Sequence, residues 1–192
     1  MKIYKKLLCL VLSGAMLLAA GCSNDANKGS VNVYDENNPA PTEAPVQEIQ
    51  GELGQSAEVG GMTLTVLSVE DPNITMEKTG KQALFFHVTI DNKTDGTVTA
   101  NYLNNFSLTV DGTYYSSDVC CTIPVMKELY DFYGTDAMTE EIPAGESRTG
   151  YIACEADKGF ESLSLHYTPK TTDRESKITV TVDKSAVVEA KK

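Results

Sequence analysis

Apolar side chains alternate with polar ones at every second position through most of the chain from about Gln55 onward. Met62, Leu64 and Val66, for example, alternate with threonines. Successive side chains of a β-strand point to opposite faces, so this period of two predicts strands with one buried face and one polar face. A helix would instead place its apolar residues at spacings of three and four. The chain is therefore expected to fold mainly as β-sheet.

The same alternation recurs in six further segments that turn signals separate. Five strands are predicted around Leu84–Ile90, Phe106–Val110, Ile152–Cys154, Leu163–Tyr167 and Ile178–Val182, with a shorter one at Val98–Ala100. Short strands separated by turns are typical of an antiparallel β-sandwich. One short helix is predicted near Pro124–Tyr133, where apolar residues recur at a spacing of four. The prediction is an all-β sandwich with one short helix in an insertion.

The N-terminal segment has the features of an export signal. Three lysines precede an uncharged apolar run, Leu7–Ala20, and small residues then lead directly to Cys22. A run of about 14 residues is shorter than the roughly 20 that a membrane-spanning helix needs, which predicts a signal peptide at 1–21. An ordinary secretory peptide is the alternative. Small residues directly before a cysteine resemble the lipobox of bacterial lipoproteins, which implies that Cys22 is acylated and becomes the mature N-terminus.

Residues 22–50 are polar at first and then rich in proline and acidic side chains. They contain too few apolar side chains to offset the entropy of ordering, which predicts a disordered tether between the lipid and a domain at 51–192.

The net charge is -11, and residues 51–192 alone hold 22 acidic and 12 basic side chains. An acidic surface excludes nucleic acid as a partner, since phosphates require an excess of Lys and Arg. It is also repelled by anionic lipid headgroups. Attachment to the extracytoplasmic face of the cell membrane is therefore expected through the lipid alone.

Five segments of the predicted sandwich together resemble a known family. They are Gly-Met-Thr-Leu-Thr-Val at 61–66, Lys-Gln-Ala-Leu-Phe-Phe-His-Val-Thr-Ile-Asp-Asn at 81–92, Phe-Ser-Leu-Thr-Val-Asp-Gly-Thr-Tyr-Tyr at 106–115, Ile-Pro-Ala-Gly-Glu at 142–146 and Gly-Tyr-Ile-Ala-Cys-Glu at 150–155. The resemblance is to a domain-of-unknown-function family with a telokin-like immunoglobulin fold, common in lipoproteins of Gram-positive bacteria. It implies an immunoglobulin-like sandwich over roughly 51–184 and supplies no catalytic residues. The insertion at 119–139 is longer and more aromatic than the family pattern, so a difference in function is expected there.

Three cysteines lie in the predicted domain: Cys120, Cys121 and Cys154. Adjacent residues of a strand point to opposite faces, so an extended segment 119–123 turns Cys121 to the core and Cys120 to solvent or to the insertion. Cys154 points inward together with Ile152. Cys121 is therefore the predicted partner of Cys154, as a structural disulfide outside the cytoplasm or as a pair of buried thiols. A redox or metal site is the functional alternative, although no His and no CxxC spacing joins the three.

Groups suited to catalysis are scarce. The two histidines, His87 and His166, both fall on the polar phase of their strands, which predicts solvent-facing side chains. A metal bound between them is the alternative, but nothing in the sequence brings them together. No nucleophile elbow, glycine-rich phosphate loop or His-Glu-x-x-His motif occurs. No enzymatic activity, cofactor or metal is therefore expected.

Aromatic side chains around the insertion are the remaining candidates for a binding surface. Tyrosine rings beside carboxylates suit a sugar or a peptide, because the ring offers both apolar area and a hydroxyl. The alternative is that about half of them cap the open end of the sandwich as core residues. The candidate ligand contacts are Tyr114, Tyr115, Tyr130, Phe132 and Tyr133.

Two functions are compatible with these observations. The first is a membrane-anchored, non-enzymatic module that binds a protein or glycan at the cell envelope. The second is a structural spacer within an envelope transport or signalling complex. An exposed concave or aromatic patch would favour the first, whereas a uniformly polar surface would favour the second.

Overall fold

The computed structural model describes residues 47–170 and 176–192. The predicted signal peptide at 1–21, the predicted acylation site Cys22 and the predicted tether as far as residue 46 lie outside the described residues. In the part of the chain that is described, no helix has the length and apolar character needed to cross a membrane.

Twelve β-strands and three α-helices make up the described residues. In chain order the strands are β1 (Glu48–Gly51), β2 (Ser56–Val59), β3 (Met62–Asp71), β4 (Gln82–Asn92), β5 (Val98–Asn101), β6 (Phe106–Val110), β7 (Thr113–Tyr115), β8 (Thr139–Ile142), β9 (Ser147–Ala156), β10 (Ser162–Tyr167), β11 (Lys177–Asp183) and β12 (Val188–Glu189). The helices are α1 (Tyr102–Asn105), α2 (Ser117–Cys120) and α3 (Ile123–Tyr133). Helix α3 confirms the predicted helix, whereas the single turns α1 and α2 were not expected. Strand β1 begins within the segment predicted as tether, because it pairs with β11.

Ten of these strands form two sheets. The first sheet has the order β1-β11-β10-β6-β7, and the second has the order β12-β3-β4-β9, with β2 also paired to β3. Neighbouring strands are antiparallel except for β1 with β11 and β12 with β3, which run parallel. Strands β5 and β8 pair separately. The predicted all-β, immunoglobulin-like antiparallel sandwich is confirmed.

The main core lies between the two sheets and contains the residues that the alternation predicts. Strands β3, β4, β6, β10 and β11 each contribute alternate apolar side chains that are almost fully buried. In β3 the alternation is interrupted, because the register with β4 shifts between Val66 and Ser68. This irregularity leaves Leu67 exposed and returns Val69 to the core, as a β-bulge does when it adds one residue to a strand.

A second, smaller apolar cluster covers the outer face of the second sheet. Ala83 and Phe85 of β4 and Ala153 of β9 are fully buried there, beneath Val125 and Leu129 of α3. Strand β4 is therefore buried on both faces, which explains why its sequence contains apolar residues in both phases. Burial of the Val125 and Leu129 side chains and of the Phe85 ring stabilises this contact, since each large apolar side chain contributes about 1.5–3 kcal/mol when fully buried.

The prediction that both histidines face solvent is wrong for His166. Its imidazole is buried on the first sheet, with Nε2 2.7 Å from the hydroxyl of Thr109 and Nδ1 2.9 Å from that of Thr179. His87 is half-buried and stacks on Tyr151, with ring centroids 4.6 Å apart. The two lie in different sheets, so they do not form a metal site. The alternation correctly placed His166 on the polar face of its strand. Threonines on the neighbouring strands, however, enclose its side chain on that face.

The buried imidazole of His166 predicts a dependence of stability on pH. Desolvation, with a smaller effect from the charge of Lys177, lowers the pKa of His166 below its ordinary value. Because the unfolded chain then binds the proton more readily, the contribution of His166 to stability is present above about pH 6.5 and is lost as the pH falls through that value. We expect the free energy of unfolding to fall more between pH 7.5 and pH 5.5 in the wild-type chain than in His166→Gln.

The measurement is denaturant unfolding at each pH, together with NMR titration of the imidazole. His87→Asn removes the other histidine signal and serves as the assignment control. An imidazole of His166 that titrates at or above about pH 6.5 would contradict the prediction.

Candidate functional site

Helices α2 and α3 form most of the insertion between β7 and β8, and local sequence defines where α3 begins and ends. Thr122 is extended and precedes the helix, and Pro124 lies in its first turn, where no helical partner for its nitrogen is needed. The helix ends at Gly134, whose φ of 71° is in the left-handed region that glycine adopts without strain. The insertion is therefore an ordered helical element of the sandwich.

The prediction that residues 119–123 form an extended strand segment, with alternate side chains on one face, is wrong. Ser117–Cys120 is the helical turn α2, and Ile123 already belongs to α3. Without strand alternation, Cys120 and Cys121 are both buried, whereas Val119 is exposed. The prediction that Cys120 points to solvent or to the insertion is wrong for the same reason.

Three buried thiols meet where α2 is followed by α3. The Sγ atom of Cys121 lies 3.3 Å from that of Cys154 and 3.6 Å from that of Cys120. All three sulfur atoms lie within 4.8 Å of one another, and each residue exposes 1% of its surface or less. The proximity of Cys121 to Cys154 agrees with the predicted pairing, and Cys120 joins them. We call this group the three-cysteine cluster.

The cluster lies in the apolar core between the sheets. Cys120 Sγ donates to the backbone carbonyl of Tyr115 over 3.7 Å. Among the described residues, no fourth Cys and no His, Asp or Glu belongs to the group. Hydrogen bonds from the thiols of Cys121 and Cys154 lower the pKa of Cys120, because they favour its thiolate. The neighbouring sulfurs of Cys120 and Cys121, together with burial, raise the pKa of Cys154.

A buried carboxylate fixes the start of α3 beside the cluster. Glu155, which follows Cys154 in β9, accepts a hydrogen bond from the hydroxyl of Thr122 and another from that of Thr79 at 2.7 Å. Glu155 is almost fully buried, so losing these donors would leave a buried charge poorly compensated. The contact holds Thr122, and with it the adjacent Cys121, against β9.

The predicted aromatic residues do not form one surface. Phe132 and Tyr133 of α3 pack on Phe85, with ring centroids 5.8 and 5.9 Å from it, and the hydroxyl of Tyr133 donates to Glu70. These two rings are therefore partly buried structural residues. The alternative that about half of the aromatic residues are structural holds, although they cover the outer face of the second sheet instead of an open end.

Tyr114 and Tyr115 lie on the first sheet, apart from the aromatic residues of α3. Tyr115 donates to Asp157 over 2.8 Å, and the ammonium of Lys81 lies 4.2 Å from its ring centroid. Tyr114 is exposed, with its ring centroid 6.1 Å from that of His166. The five predicted ligand contacts are thus divided between two sheets, and only Tyr114 and Tyr130 are largely exposed.

Helix α1 and the insertion carry a set of exposed apolar side chains that sequence reasoning missed. Their exposed fractions are 42% for Leu103, 51% for Val119, 78% for Ile123 and 53% for Tyr130. We call this set the helical apolar patch. Its signal in the sequence was the seven-residue spacing of Ile123 and Tyr130, which places both on one face of a helix. The strand interpretation of 119–123 concealed it.

Contacts between the three helices connect the members of the helical apolar patch. The hydroxyl of Ser117 in α2 donates to the carbonyl of Leu103 in α1. Tyr102 of α1 and Met126 of α3 line the same surface depression. Helix α1 is therefore adjacent to α2 and to α3, and each of the three helices carries at least one member of the helical apolar patch.

The segment that carries three of the four members of the helical apolar patch is acidic. Residues 117–141 contain six acidic side chains and a single basic one, Lys127. Lys127 is paired with Asp131 one turn along α3, and Arg148 of β9 is paired with Glu140, so the segment together with Arg148 still holds more acidic than basic side chains. The local electrostatic field at this end of the molecule is therefore negative.

The family model described as "Domain of unknown function (DUF4352)" matches residues 51–178. The chain belongs to this family. The resemblance noted from the strand motifs is thereby confirmed. No curated protein matches the chain.

Several solved structures are similar to this DUF4352 member at low sequence identity. The ycdA protein of Bacillus subtilis, described as a candidate lipoprotein, has a TM-score of 0.51 at 17% identity, over 68% of this chain and 40% of that one. The chain thus spans less than half of that protein. The yjhA protein of Bacillus subtilis has a TM-score of 0.47 at 19% identity, over 69% of this chain and 98% of its own. A candidate lipoprotein of Staphylococcus aureus has a TM-score of 0.44 at 13% identity, over 70% and 96%.

The sulfur separations in this DUF4352 domain predict which disulfide forms on oxidation. Diamide accepts two electrons and two protons from a pair of thiols and is reduced to its hydrazine. We expect it to join Cys121 to Cys154 and to leave Cys120 as a thiol, because these two sulfurs are only 3.3 Å apart and adjacent cysteines form a strained ring. The measurement is alkylation of the remaining thiols followed by peptide mass spectrometry.

Cys120→Ser is the matched control, since it should form the same disulfide. A Cys120–Cys154 bond in the wild-type chain, or an unchanged number of thiols after diamide treatment of folded protein, would contradict this pairing.

Proposed function

We propose that this protein is a lipid-anchored, extracytoplasmic lipoprotein of a Gram-positive cell envelope whose sandwich is a non-enzymatic module that binds another protein. The observation that carries the proposal is the helical apolar patch, in which four large apolar side chains are exposed on adjacent helices. Single exposed apolar residues are ordinary, but a contiguous group framed by polar residues indicates an interaction surface.

The chemistry of the helical apolar patch favours a protein over a glycan as partner. Leu103, Val119 and Ile123 are aliphatic, and Tyr130 supplies the one exposed aromatic ring among the four. Sugar rings are recognised mainly by stacking on aromatic faces together with hydrogen bonds, whereas aliphatic side chains gain free energy by burial against other apolar groups. A protein surface offers such groups.

The charge around the patch indicates the kind of protein surface that would fit it. Segment 117–141, which carries Val119, Ile123 and Tyr130, holds six acidic side chains and one basic one, so a partner bound there would lie beside an acidic segment. A complementary partner would present an apolar centre ringed by Lys and Arg side chains, because complementary potentials steer association and fix orientation. The partner proposed here is therefore an envelope protein with a basic-rimmed apolar surface.

The anchor is supported by the N-terminal sequence. Acylation requires the thiol of Cys22, and one acyl chain alone holds a protein only weakly, so a diacyl anchor is the expected form. In Cys22→Ser, we expect the precursor to remain uncleaved by the lipoprotein signal peptidase and to take up no fatty-acid probe. The measurement is gel mobility together with in-cell labelling. Normal labelling of the variant would contradict the assignment.

Site-specific photo-crosslinking in intact cells tests the binding surface. A photoreactive residue in place of Ile123 or Tyr130 should form an adduct with one protein, because these positions would be covered in the complex. The same residue in place of Thr181, an exposed position on β11 of the first sheet, is the matched control and should form none. The adduct is identified by mass spectrometry.

Binding to the purified partner then tests the chemistry. Ile123→Asp should weaken binding by about tenfold or more, since a hot-spot apolar contact contributes more than 1 kcal/mol, and the matched Thr181→Asp should not. Higher salt should also weaken binding if basic side chains face the acidic segment. Adducts with cell-wall glycan alone would contradict a protein partner, and equal adducts at Thr181 would contradict this surface. No adduct at any position would favour the spacer function.

A further inference from the structure

We propose that the three-cysteine cluster binds one soft monovalent d¹⁰ cation, of which Cu(I) is the biological example, through the three Sγ atoms of Cys120, Cys121 and Cys154. This proposal goes beyond the binding function above and does not depend on it. No metal-binding motif is visible in the sequence, because two ligands are adjacent in the chain and the third lies on a distant strand.

The ligand set selects the class of metal. Thiolate sulfur is a soft ligand that favours Cu(I), Zn(II) and iron–sulfur clusters. Iron–sulfur clusters are held by four protein ligands, and structural Zn(II) sites are almost always four-coordinate. The described residues supply three sulfurs and no fourth Cys, His, Asp or Glu. Cu(I) binds stably to two or three sulfurs, so of these three candidates only Cu(I) finds a complete ligand set here.

Burial excludes the other way of completing a zinc site. Catalytic Zn(II) sites with three protein ligands take water as the fourth. The three cysteines expose 1% of their surface or less and lie among apolar core residues. Entry of a permanent water ligand would therefore require polar partners that this part of the core lacks. The same burial would protect Cu(I) from oxidation by solvent species.

The sulfur spacing is close to what a trigonal site requires. A metal about 2.3 Å from each of three sulfurs in one plane places those sulfurs about 4.0 Å apart. The two closest pairs are 3.3 and 3.6 Å apart, and all pairs lie within 4.8 Å. Small rotations of the cysteine side chains would reach the trigonal arrangement without displacing α2 or β9. On binding, the cation displaces thiol protons to solvent, so affinity should rise with pH.

Anaerobic titration of the full chain with Cu(I) tests the proposal. Cys9→Ser and Cys22→Ser are introduced so that the cluster provides the only thiols, and the reduced protein competes for Cu(I) with a colorimetric chelator. We expect one Cu(I) per chain, three sulfur ligands by X-ray absorption, and tighter binding at higher pH. In separate samples Zn(II) should compete poorly with Cu(I).

Removing one ligand should abolish most of the affinity. Loss of supporting contacts around a metal lowers affinity about 10–100-fold, so Cys154→Ser, which removes a ligand, should lower it at least about 100-fold. Val182→Thr is the matched control, because it likewise introduces a hydroxyl at a buried core position, on β11 of the first sheet, and its affinity should not change. Unchanged affinity in Cys154→Ser, no competition with the chelator, or a nitrogen or oxygen ligand in the spectrum would overturn the proposal.

A second measurement keeps the test decisive if Cys154→Ser fails to fold. Protein oxidised by diamide retains its full sequence but lacks two of the three thiols. It should bind no Cu(I), and reduction should restore one equivalent. Cu(I) binding that persists after oxidation would overturn the proposal, whatever the partner of the helical apolar patch.

Discussion

The packing of α3 on the outer face of the second sheet is the interaction on which the distinctive features of this sandwich depend. Val125 and Leu129 bury Phe85 of β4 there, together with Ala83 and Ala153. A sheet face of this kind would otherwise be exposed to water, and each large side chain would forfeit about 1.5–3 kcal/mol. The same helix exposes Ile123 and Tyr130 on its other side. One element thus stabilises the fold and presents the proposed binding surface.

Helix α3 also determines where the thiols lie. Its first residue follows Thr122, which is hydrogen-bonded to the buried Glu155 of β9. Since Cys121 precedes Thr122 and Cys154 precedes Glu155, this contact brings their sulfurs together in the core. The carboxylate and the sulfurs lie on opposite faces of β9, so a polar contact outside the sheet positions an apolar cluster inside it. The three-cysteine cluster is therefore a consequence of how the insertion attaches to the sandwich.

The sandwich could be predicted from the sequence, because a strand with one buried face has alternating apolar and polar residues, and this alternation is visible locally. Leu84, Phe86 and Val88 could be assigned to the core from spacing alone. The insertion was not predictable in the same way. The apolar residues of segment 119–123 have the spacing of a strand, but tertiary packing selects a helical turn there. That error misplaced Cys120 and hid the exposed position of Val119. His166 was misassigned because enclosure by Thr109 and Thr179 depends on strand neighbours that spacing does not reveal.

Amide hydrogen exchange resolved by residue tests the central role of α3 most directly. Leu129→Ala removes a fully buried side chain of the helix, and Tyr130→Ala removes its exposed neighbour. A buried Leu-to-Ala change costs about 2–5 kcal/mol, so amides of α3 should exchange at least about 30-fold faster in Leu129→Ala. The amides of β10 and β11 should keep most of their protection, and Tyr130→Ala should leave α3 unchanged. Equal exchange of α3 in the two variants would contradict the account, as would a uniform acceleration over the whole sandwich in Leu129→Ala.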